Sequence, residues 1–518
     1  MKKSFFVTSF LFLFVCLAEA QLSGRSTVRK QRCGTAIYYN RLIDYDTEFK
    51  RRFEANQKHN AETVLQNLQG NTRADDTIPV VVHVIGTTTM QSLVSDEVIH
   101  SQIDVLNEDY QGRNADSVRI PPAFKPLFGK SRLTFKLAGT SPLGEPTNGI
   151  VRVISNKTFD YNDFDSAKQS SADGSDAWQP LQYLNIWVVD FADSEILGVS
   201  VFPGDPRPFN YHGFTCDYRA FGRGAPHLFT EFNKGRTTTH EIGHFFNLIH
   251  IWGDDDGACF GSDFLDNPDI DDTPNQANAT KGNPDPFGVG IIVTDICTPE
   301  APGIMYQNYM DFTDDASMVM FTQGQQQLIE QTLNNAPDRS PLFTSTAYLS
   351  APLVENDASI REIVSPRNGA CTRSVTPSVL LRNSGADTLR SAVITLMLNQ
   401  QTSATFNWIG KLPPYQQTEI NLPGVEAIEG ANSLVIYSSR PNGKSDERLA
   451  NDTSSIIFHI AETLVLNSRF EEDFGGTEFR RSNGELITRI VILHGNETQP
   501  WERKAQVLPG SMTTTTQH

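Results

Sequence analysis

The chain has 518 residues, which is enough for two or three domains that each bury a core of their own. Its formal net charge of −18 argues against nucleic acid as a partner, because a phosphate-binding surface needs net basic character. The same charge suits an exported protein whose copies repel one another.

The first 20 residues have the pattern of a secretory signal peptide. Lys2 and Lys3 precede an apolar run over residues 5–17, and residues 18–20, Ala-Glu-Ala, form an A-x-A cleavage site. The run is too short for a comfortable membrane span, and no later stretch approaches that length. We therefore expect a secreted protein without a membrane span.

Residues 21–75 are charged, contain few large apolar side chains, and are predicted to form a propeptide. Arg73-Ala74 is a suitable processing point because an apolar strand begins at Thr77. Removal of the signal peptide leaves an odd number of cysteines, so at least one should remain a thiol or be otherwise engaged. Cys33, in the polar segment Arg32-Cys33-Gly34-Thr35, is the candidate. The others are Cys216, Cys259, Cys297 and Cys371.

Apolar segments from residue 77 onward predict an α+β domain. Helical periodicity over 97–110 indicates a helix. His83 alternates with apolar residues and is expected to be a core or edge residue rather than a metal ligand. Strands are expected over residues 77–85, 133–137, 150–154, 184–190 and 197–203.

The strongest motif is His240-Glu241-Ile242-Gly243-His244, followed by His250. His240 and His244 stand one helical turn apart and can share a zinc ion, with Glu241 as general base. His250 can be a third ligand only if the chain bends near Asn247, a residue type that tolerates the left-handed conformation. A chance HExxH motif, or an acidic third ligand such as Asp254, is the alternative.

A second motif lies about sixty residues further on, at Asn308-Tyr309-Met310-Asp311-Phe312. Together the two motifs resemble the metzincin metallopeptidases, specifically the pappalysin/cytophagalysin family. The resemblance implies a twisted mixed sheet with a zinc-binding helix, and Met310 in a Met-turn beneath the metal. Phe312 replaces the usual Tyr, which removes one stabiliser of the oxyanion, and Ser317 replaces a common Cys.

The resemblance also implies substrate contacts. In metzincins the strand before the zinc helix is an open edge on which peptides pair, here Leu197, Gly198 and Val199. A buried strand is the alternative. Family members that cut before Arg or Lys carry an acid five residues after the Met, which corresponds to Asp315. Asp311 is expected to be a structural hydrogen-bond acceptor instead.

Two further features follow from the family. Cys259 and Cys297 match a family disulfide. A thiolate from Cys33 would take the open zinc position and keep the enzyme latent, as cysteine-switch propeptides do in some metzincins. The alternative is that Cys33 is a leftover thiol or a disulfide partner.

The acidic loop over residues 254–274 predicts calcium, because clustered carboxylates repel one another unless they are solvated or neutralised by a cation. Family members carry structural calcium near the Asp-Thr-Pro element, so Asp269, Asp272 and Thr273 are the candidate ligands. A solvated acidic loop is the alternative.

After Pro341 the pattern changes to short alternating runs separated by turn signals, which predicts an immunoglobulin-like β-sandwich. We divide the chain into a signal peptide (1–20), a propeptide (21–75), a catalytic domain (76–342), the sandwich (355–460) and an incomplete C-terminal module (461–518). The predicted function is a secreted, latent zinc endopeptidase. The alternatives are an adhesin with a degenerate zinc site and a metal-dependent amidase acting on something other than protein.

Overall fold

The computed structural model describes residues 31–66, 76–160, 164–192, 195–254, 257–259, 270, 272–367, 369–370 and 372–461, with four short strands further on. It divides into two compact units, Met1–Pro142 with Thr147–Ser350, and Leu143–Pro146 with Ala351–His518. The predicted signal peptide and the Arg73-Ala74 processing point lie outside the described residues.

The first unit is built on a seven-stranded mixed sheet in the order β1-β6-β7-β5-β2, where β2 also pairs with β3 and β4. Every pairing is parallel except the antiparallel one between β6 and β7. The strands are β1 (Gln31–Cys33), β2 (Thr77–Gly86), β3 (Thr134–Leu137), β4 (Ile150–Ile154), β5 (Leu184–Val189), β6 (Ile196–Ser200) and β7 (Phe214–Asp217). A separate short parallel pair joins β8 (Lys281–Gly282) to β9 (Phe312–Thr313). The predicted mixed sheet is confirmed.

Six α-helices accompany the sheet in the described part of this unit. They are α1 (Thr35–Tyr45), α2 (Thr47–Gln66), α3 (Thr88–Leu93), α4 (Asp96–Tyr110), α5 (Arg236–Phe245) and α6 (Gln323–Asn335). The helix expected over 97–110 is α4, which begins after Ser95, whose side chain accepts from the backbone N–H of Val98. A capping box of Thr322 and Gln325 starts α6.

Strands β2 and β5 form the centre of this unit because both are apolar on both faces, as sheets covered on both sides require. The buried polar residue of β2 is His83, whose Nδ1 lies 2.8 Å from the Ser175 hydroxyl and whose Nε2 lies 3.1 Å from the Asn185 Oδ1. The prediction that His83 is a core residue is therefore confirmed.

The N-terminal helices α1 and α2 pack on the rest of this unit. Tyr39 and Phe53 are buried in one cluster with Trp187 and Phe202. The Tyr39 hydroxyl also accepts a hydrogen bond from the backbone N–H of Phe202 at 3.1 Å. The segment before β2 is thus folded onto the sheet.

The sheets of the second unit are formed by strands within its described residues. A three-stranded sheet (β10-β13-β16) and a five-stranded sheet (β11-β19-β18-β14-β15) share one hydrophobic core, and β12 pairs with β17. The immunoglobulin-like topology of this unit stays a prediction. The strands are β10 (Ala358–Ser365), β11 (Gly369–Ala370), β12 (Ser374–Val375), β13 (Ser378–Asn383), β14 (Leu389–Leu398), β15 (Gln401–Leu412), β16 (Gln417–Asn421), β17 (Val425–Glu426), β18 (Gly430–Ser439) and β19 (Thr453–Ile460).

Little of the predicted C-terminal module lies within the described residues. Its described part comprises two antiparallel pairs, β20 (Phe470–Glu471) with β21 (Arg480–Arg481), and β22 (Gln506–Leu508) with β23 (Ser511–Thr513). Among the described residues, no helix combines the length and the apolar character needed to cross a bilayer.

Candidate metal centre

The HExxH motif lies on α5, and every residue of this helix is buried. Gly243 lets the helix approach the Met-turn, because a Cβ at this position would lie 2.5 Å from the Met310 Sδ. After the helix, Asn247 adopts a left-handed conformation with φ of 76°. The backbone N–H of Leu248 then donates to the Gly243 carbonyl at 2.9 Å. The predicted bend at Asn247 is confirmed, and it returns the chain toward the helix.

The bend brings three imidazoles together. The Nε2 atom of His244 lies 3.1 Å from that of His240 and 3.2 Å from that of His250, and the remaining pair is 3.3 Å apart. Three tetrahedral positions around zinc are about 3.3 Å apart when each Zn–N bond is about 2.0 Å. The spacing therefore matches three ligands of one zinc ion.

The outer ring nitrogens fix the tautomers. Nδ1 of His240 lies 2.7 Å from the Tyr309 carbonyl oxygen, and Nδ1 of His244 lies 2.7 Å from the Leu248 carbonyl oxygen. A carbonyl only accepts, so both Nδ1 atoms carry the proton and both Nε2 lone pairs face the centre. Burial and the neighbouring imidazoles lower the pKa of both histidines well below the usual value. Neutral imidazoles with convergent lone pairs fit a bound cation.

His250 is oriented by its own partners. Its Nδ1 donates to the Asp254 carboxylate at 2.7 and 2.9 Å, and its ring stacks on Trp252 with centroids 4.2 Å apart. Phe312 contacts the same ring from another side, with a centroid distance of 4.8 Å. Asp254 was an alternative metal ligand in the sequence analysis. Its carboxylate instead accepts a hydrogen bond from the outer ring nitrogen of His250.

The Met-turn is fixed by side chains around it. The backbone N–H of Met310 donates to the Asn308 Oδ1 at 2.9 Å. Asp311 is fully buried and accepts from the backbone N–H of Thr280 at 2.8 Å and from the Gln276 Nε2 at 3.1 Å. The prediction that Asp311 is a structural acceptor is confirmed.

Glu241 lies on α5 and is buried beside the three histidines. Its Oε2 accepts from the Thr35 hydroxyl at 3.0 Å, and its Oε1 has no hydrogen-bond partner among the described residues. Burial raises the pKa of Glu241 to about 8, while hydrogen bonds from Cys33 and Thr35 lower it. Gly198 of β6 makes room for this side chain, since a Cβ there would lie 2.6 Å from the Glu241 Cγ.

Strand β1 runs across the site and pairs in parallel with β6, with Cys33 opposite Gly198. The backbone N–H of Gly34 donates to the Gly198 carbonyl at 2.9 Å. The Cys33 Sγ and one nitrogen from each of His240, His244 and His250 all lie within 4.8 Å of one another. The predicted substrate edge of Leu197, Gly198 and Val199 is thus covered by the N-terminal segment.

Arg32 lies in a closed pocket next to this cluster. Its Nη2 is 2.8 Å from the Asp315 carboxylate and also donates to the Thr313 carbonyl at 2.7 Å. Its Nη1 donates to the Thr237 hydroxyl at 3.1 Å, and the guanidinium lies over the Phe232 ring at 4.9 Å. The pocket therefore satisfies a guanidinium on several sides.

The predicted disulfide between Cys259 and Cys297 is present, and Cys33 and Cys216 are buried thiols. Cys371 lies outside the described residues.

Asp269, one of the three predicted calcium ligands, also lies outside the described residues. Asp272 accepts from the backbone N–H of Gly324 at 2.8 Å, and the Thr273 hydroxyl donates to the Ile270 carbonyl at 3.3 Å. Calcium in this loop stays a prediction.

Three contacts around the histidine cluster were not predicted from the sequence, namely those of Arg32, Thr35 and Asp254. A signal for the first two was their position beside Cys33. Asp254 stands four residues after His250, but the turn between them gave no basis for pairing them.

Comparisons with known proteins agree with this geometry. The sequence model of the Peptidase_M43 family, described as pregnancy-associated plasma protein-A, matches residues 167–334. An extracellular metalloprotease of Pyricularia oryzae is 27% identical over 322 residues, which are 62% of this chain and 93% of that protein. An extracellular metalloprotease of Arthroderma benhamiae is 27% identical over 298 residues, 56% of this chain and 85% of that protein.

Among solved structures, a mutant of promirolysin from Tannerella forsythia is 36% identical, with a TM-score of 0.54. The match covers 62% of this chain and 99% of promirolysin.

The mixed sheet, the histidine-bearing helix and these relatives define a zinc metalloendopeptidase. Within that class, the chain belongs to the pappalysin family of metzincins.

Proposed function

We propose that the chain is exported as a latent proenzyme, and that the processed enzyme cuts peptide bonds just before Arg or Lys. One observation carries the proposal: the segment Arg32–Thr35 contacts each group that the reaction needs. Arg32 pairs with Asp315, Cys33 lies among the histidines, and Thr35 donates to Glu241.

In the processed enzyme, His240, His244 and His250 would hold zinc, which would supply a Lewis acid for the scissile carbonyl and lower the pKa of a bound water. Glu241 would accept a proton from this water and deliver it to the leaving amine. In the latent chain the same carboxylate accepts a hydrogen bond from the Thr35 hydroxyl. Asp254 keeps His250 in the ligand tautomer. Phe312 packs on two of the histidines and offers no hydrogen bond to the oxyanion.

The direction of the N-terminal segment supports latency. In a substrate cut before Arg, the pocket residue follows the residue that contributes the scissile carbonyl. In β1 the order is reversed, because Arg32 occupies the pocket and precedes Cys33, which lies at the histidines. The segment therefore contacts the pocket and the histidines as a substrate would, but its chain runs in the direction opposite to that of a cleavable peptide. A substrate in the productive direction would pair with β6 in antiparallel fashion, since β1 pairs with it in parallel.

The packing of α1 supports the same proposal. Tyr39 is fully buried, and burying one aromatic side chain contributes roughly 2 kcal/mol. The backbone N–H of Gly34 also donates to the Gly198 carbonyl of β6 at 2.9 Å. The thiol is therefore one of several anchors, and removing the whole segment requires proteolysis.

Asp315 supports the preference for Arg or Lys. Its Oδ2 accepts from the backbone N–H groups of Lys234 and Arg236 at 2.7 and 3.3 Å, which leaves Oδ1 directed at the pocket. A guanidinium satisfies Asp315, Thr237 and the Thr313 carbonyl together, whereas an ammonium is a single point of charge. We therefore expect Arg to be preferred over Lys.

Cleavage of a proteome-derived peptide library, read by mass spectrometry, tests the proposal. The processed enzyme is expected to give products that begin with Arg or Lys. The Glu241→Ala variant should cut nothing while keeping about one zinc per chain. Retained cleavage by Glu241→Ala would remove the general base from the mechanism, and products without a basic first residue would remove Asp315 from the specificity pocket.

A further inference from the structure

The second unit contains a group of carboxylates that the peptidase function does not use. Asp357 precedes β10, Asp446 lies between β18 and β19, and Asp452 stands immediately before β19. One carboxylate oxygen from each lies within 4.8 Å of the others, and both Asp357 and Asp452 are buried. Three residues far apart in sequence thus converge on one point of this unit.

The hydrogen bonds of the group leave one oxygen unused. Asp357 accepts from Asn451 Nδ2 at 2.9 Å and from Arg448 Nη1 at 2.8 Å, and Asp446 accepts from the backbone N–H groups of Ala358 and Arg448 at 3.0 Å. Asp452, which is only 7% exposed, has a buried Oδ1 with no partner among the described residues. A buried carboxylate oxygen without a donor is costly unless a cation satisfies it.

The charges of the group do not balance. When all three are ionised, the carboxylates face one guanidinium, that of Arg448, which leaves two negative charges. Glu145, from the short segment that belongs to this unit, is matched by its own pair with Arg361 at 2.8 Å. Burial, followed by the charges of Asp446 and Asp357, raises the pKa of Asp452 to about 8. A divalent cation would compensate the excess charge.

We propose that Asp357, Asp446 and Asp452 form a binding site for a divalent cation of the calcium type. The donors are all oxygens, which hard cations prefer over the nitrogen and sulfur ligands that attract zinc. Asn451 supplies a further candidate oxygen, since its Nδ2 holds Asp357 and its buried Oδ1 is without a partner among the described residues.

The bound cation would tie the loop after β18 to the start of β10, because the ligands come from both places. The expected consequence is calcium-dependent stability of the second unit. This inference is independent of the peptidase mechanism and of the acidic loop predicted to bind calcium in the first unit.

Calcium binding to the full-length chain tests the inference. The Glu241→Ala background prevents self-cleavage, and the zinc-loaded protein is titrated with calcium by calorimetry. The Asp452→Asn variant is expected to lose one calcium per chain, or to bind it about tenfold more weakly or worse. Glu419→Gln, which removes one exposed charge from β16 of the same unit, is the matched control and should bind like the parent.

A second variant keeps the test decisive if Asp452→Asn does not fold. Asp446 is half-buried, and Asp446→Asn keeps an oxygen for one of the two backbone N–H groups, so it should give the same loss. Calcium should also raise the unfolding temperature of the parent by more than that of either Asp variant. Equal calcium stoichiometry and affinity in the parent and the folded Asp variants would overturn the proposal, and so would a parent that binds no calcium.

Discussion

The guanidinium of Arg32 and the carboxylate of Asp315 lie 2.8 Å apart, with 0% and 1% of their side chains exposed. Removing one partner of such a pair leaves a buried charge uncompensated, which costs about 3–5 kcal/mol. The pair therefore anchors the N-terminal segment in the pocket that we assign to substrate. We expect the same carboxylate to become available to a basic substrate side chain once that segment leaves.

Replacing Asp315 by Asn tests this pocket. The amide keeps the shape but removes the charge, so kcat/KM of the processed enzyme for peptides with Arg after the scissile bond should fall about 100-fold. Peptides with Leu at this position should be affected far less. Steady-state kinetics on paired peptides measures the difference, and an equal loss for both peptides would mean that Asp315 serves only the fold.

Replacing Cys33 by Ala tests latency. If the thiol contributes about 1.4 kcal/mol or more to holding the segment, its loss should raise the fraction of open chain, and the rate of self-processing, about tenfold or more. The matched control is Cys216→Ala, since Cys216 is a buried thiol of β7. Gel analysis over time measures processing. Equal rates for the two variants would contradict a latency role for Cys33.

Replacing Asp254 by Asn tests the support of His250. The backbone at Asp254 has φ of 54°, which Asn also tolerates, so the substitution changes chiefly the charge on the Nδ1 hydrogen bond. Loss of such an outer partner typically lowers metal affinity about 10–100-fold, and we expect a loss of that size here. Competition with a chelator measures zinc affinity. Asp104→Asn, on the exposed face of α4, is the control and should leave it unchanged.

His83 should make the first unit less stable as the pH falls from 7 to 5. Burial lowers the pKa of His83 to about 4, whereas the unfolded chain binds this proton near pH 6.5. Below pH 6.5 the unfolded state therefore binds more protons, and His83 alone should cost about 2 kcal/mol at pH 5.

Urea unfolding at both pH values, in the Glu241→Ala background, measures this loss. His83→Gln should lose about 2 kcal/mol less between pH 7 and pH 5 than the parent. His100→Gln, at an exposed position of α4, should behave like the parent. An identical loss in all three proteins would show that His83 is not the group responsible.

Local chemistry in the sequence was sufficient for much of the site. The spacing of His240 and His244 places both on one helical face, and Asn247 is a residue type that accepts the left-handed bend. Apolar runs predicted β2 and α4 because their burial follows short periodicities. These features depend on neighbours within one turn or one strand, so a linear pattern contains them.

Only the tertiary structure decided the contacts between distant segments. No linear pattern pairs Arg32 with Asp315, 283 residues away, or brings Asp357 to Asp446 and Asp452. Such pairs form because the sheet order places β1 on β6 and the strands of the second unit fix where their loops meet. Residue spacing along the chain sets what can share a helix or a strand, but the packing of complete elements determines which charges face each other in a buried site.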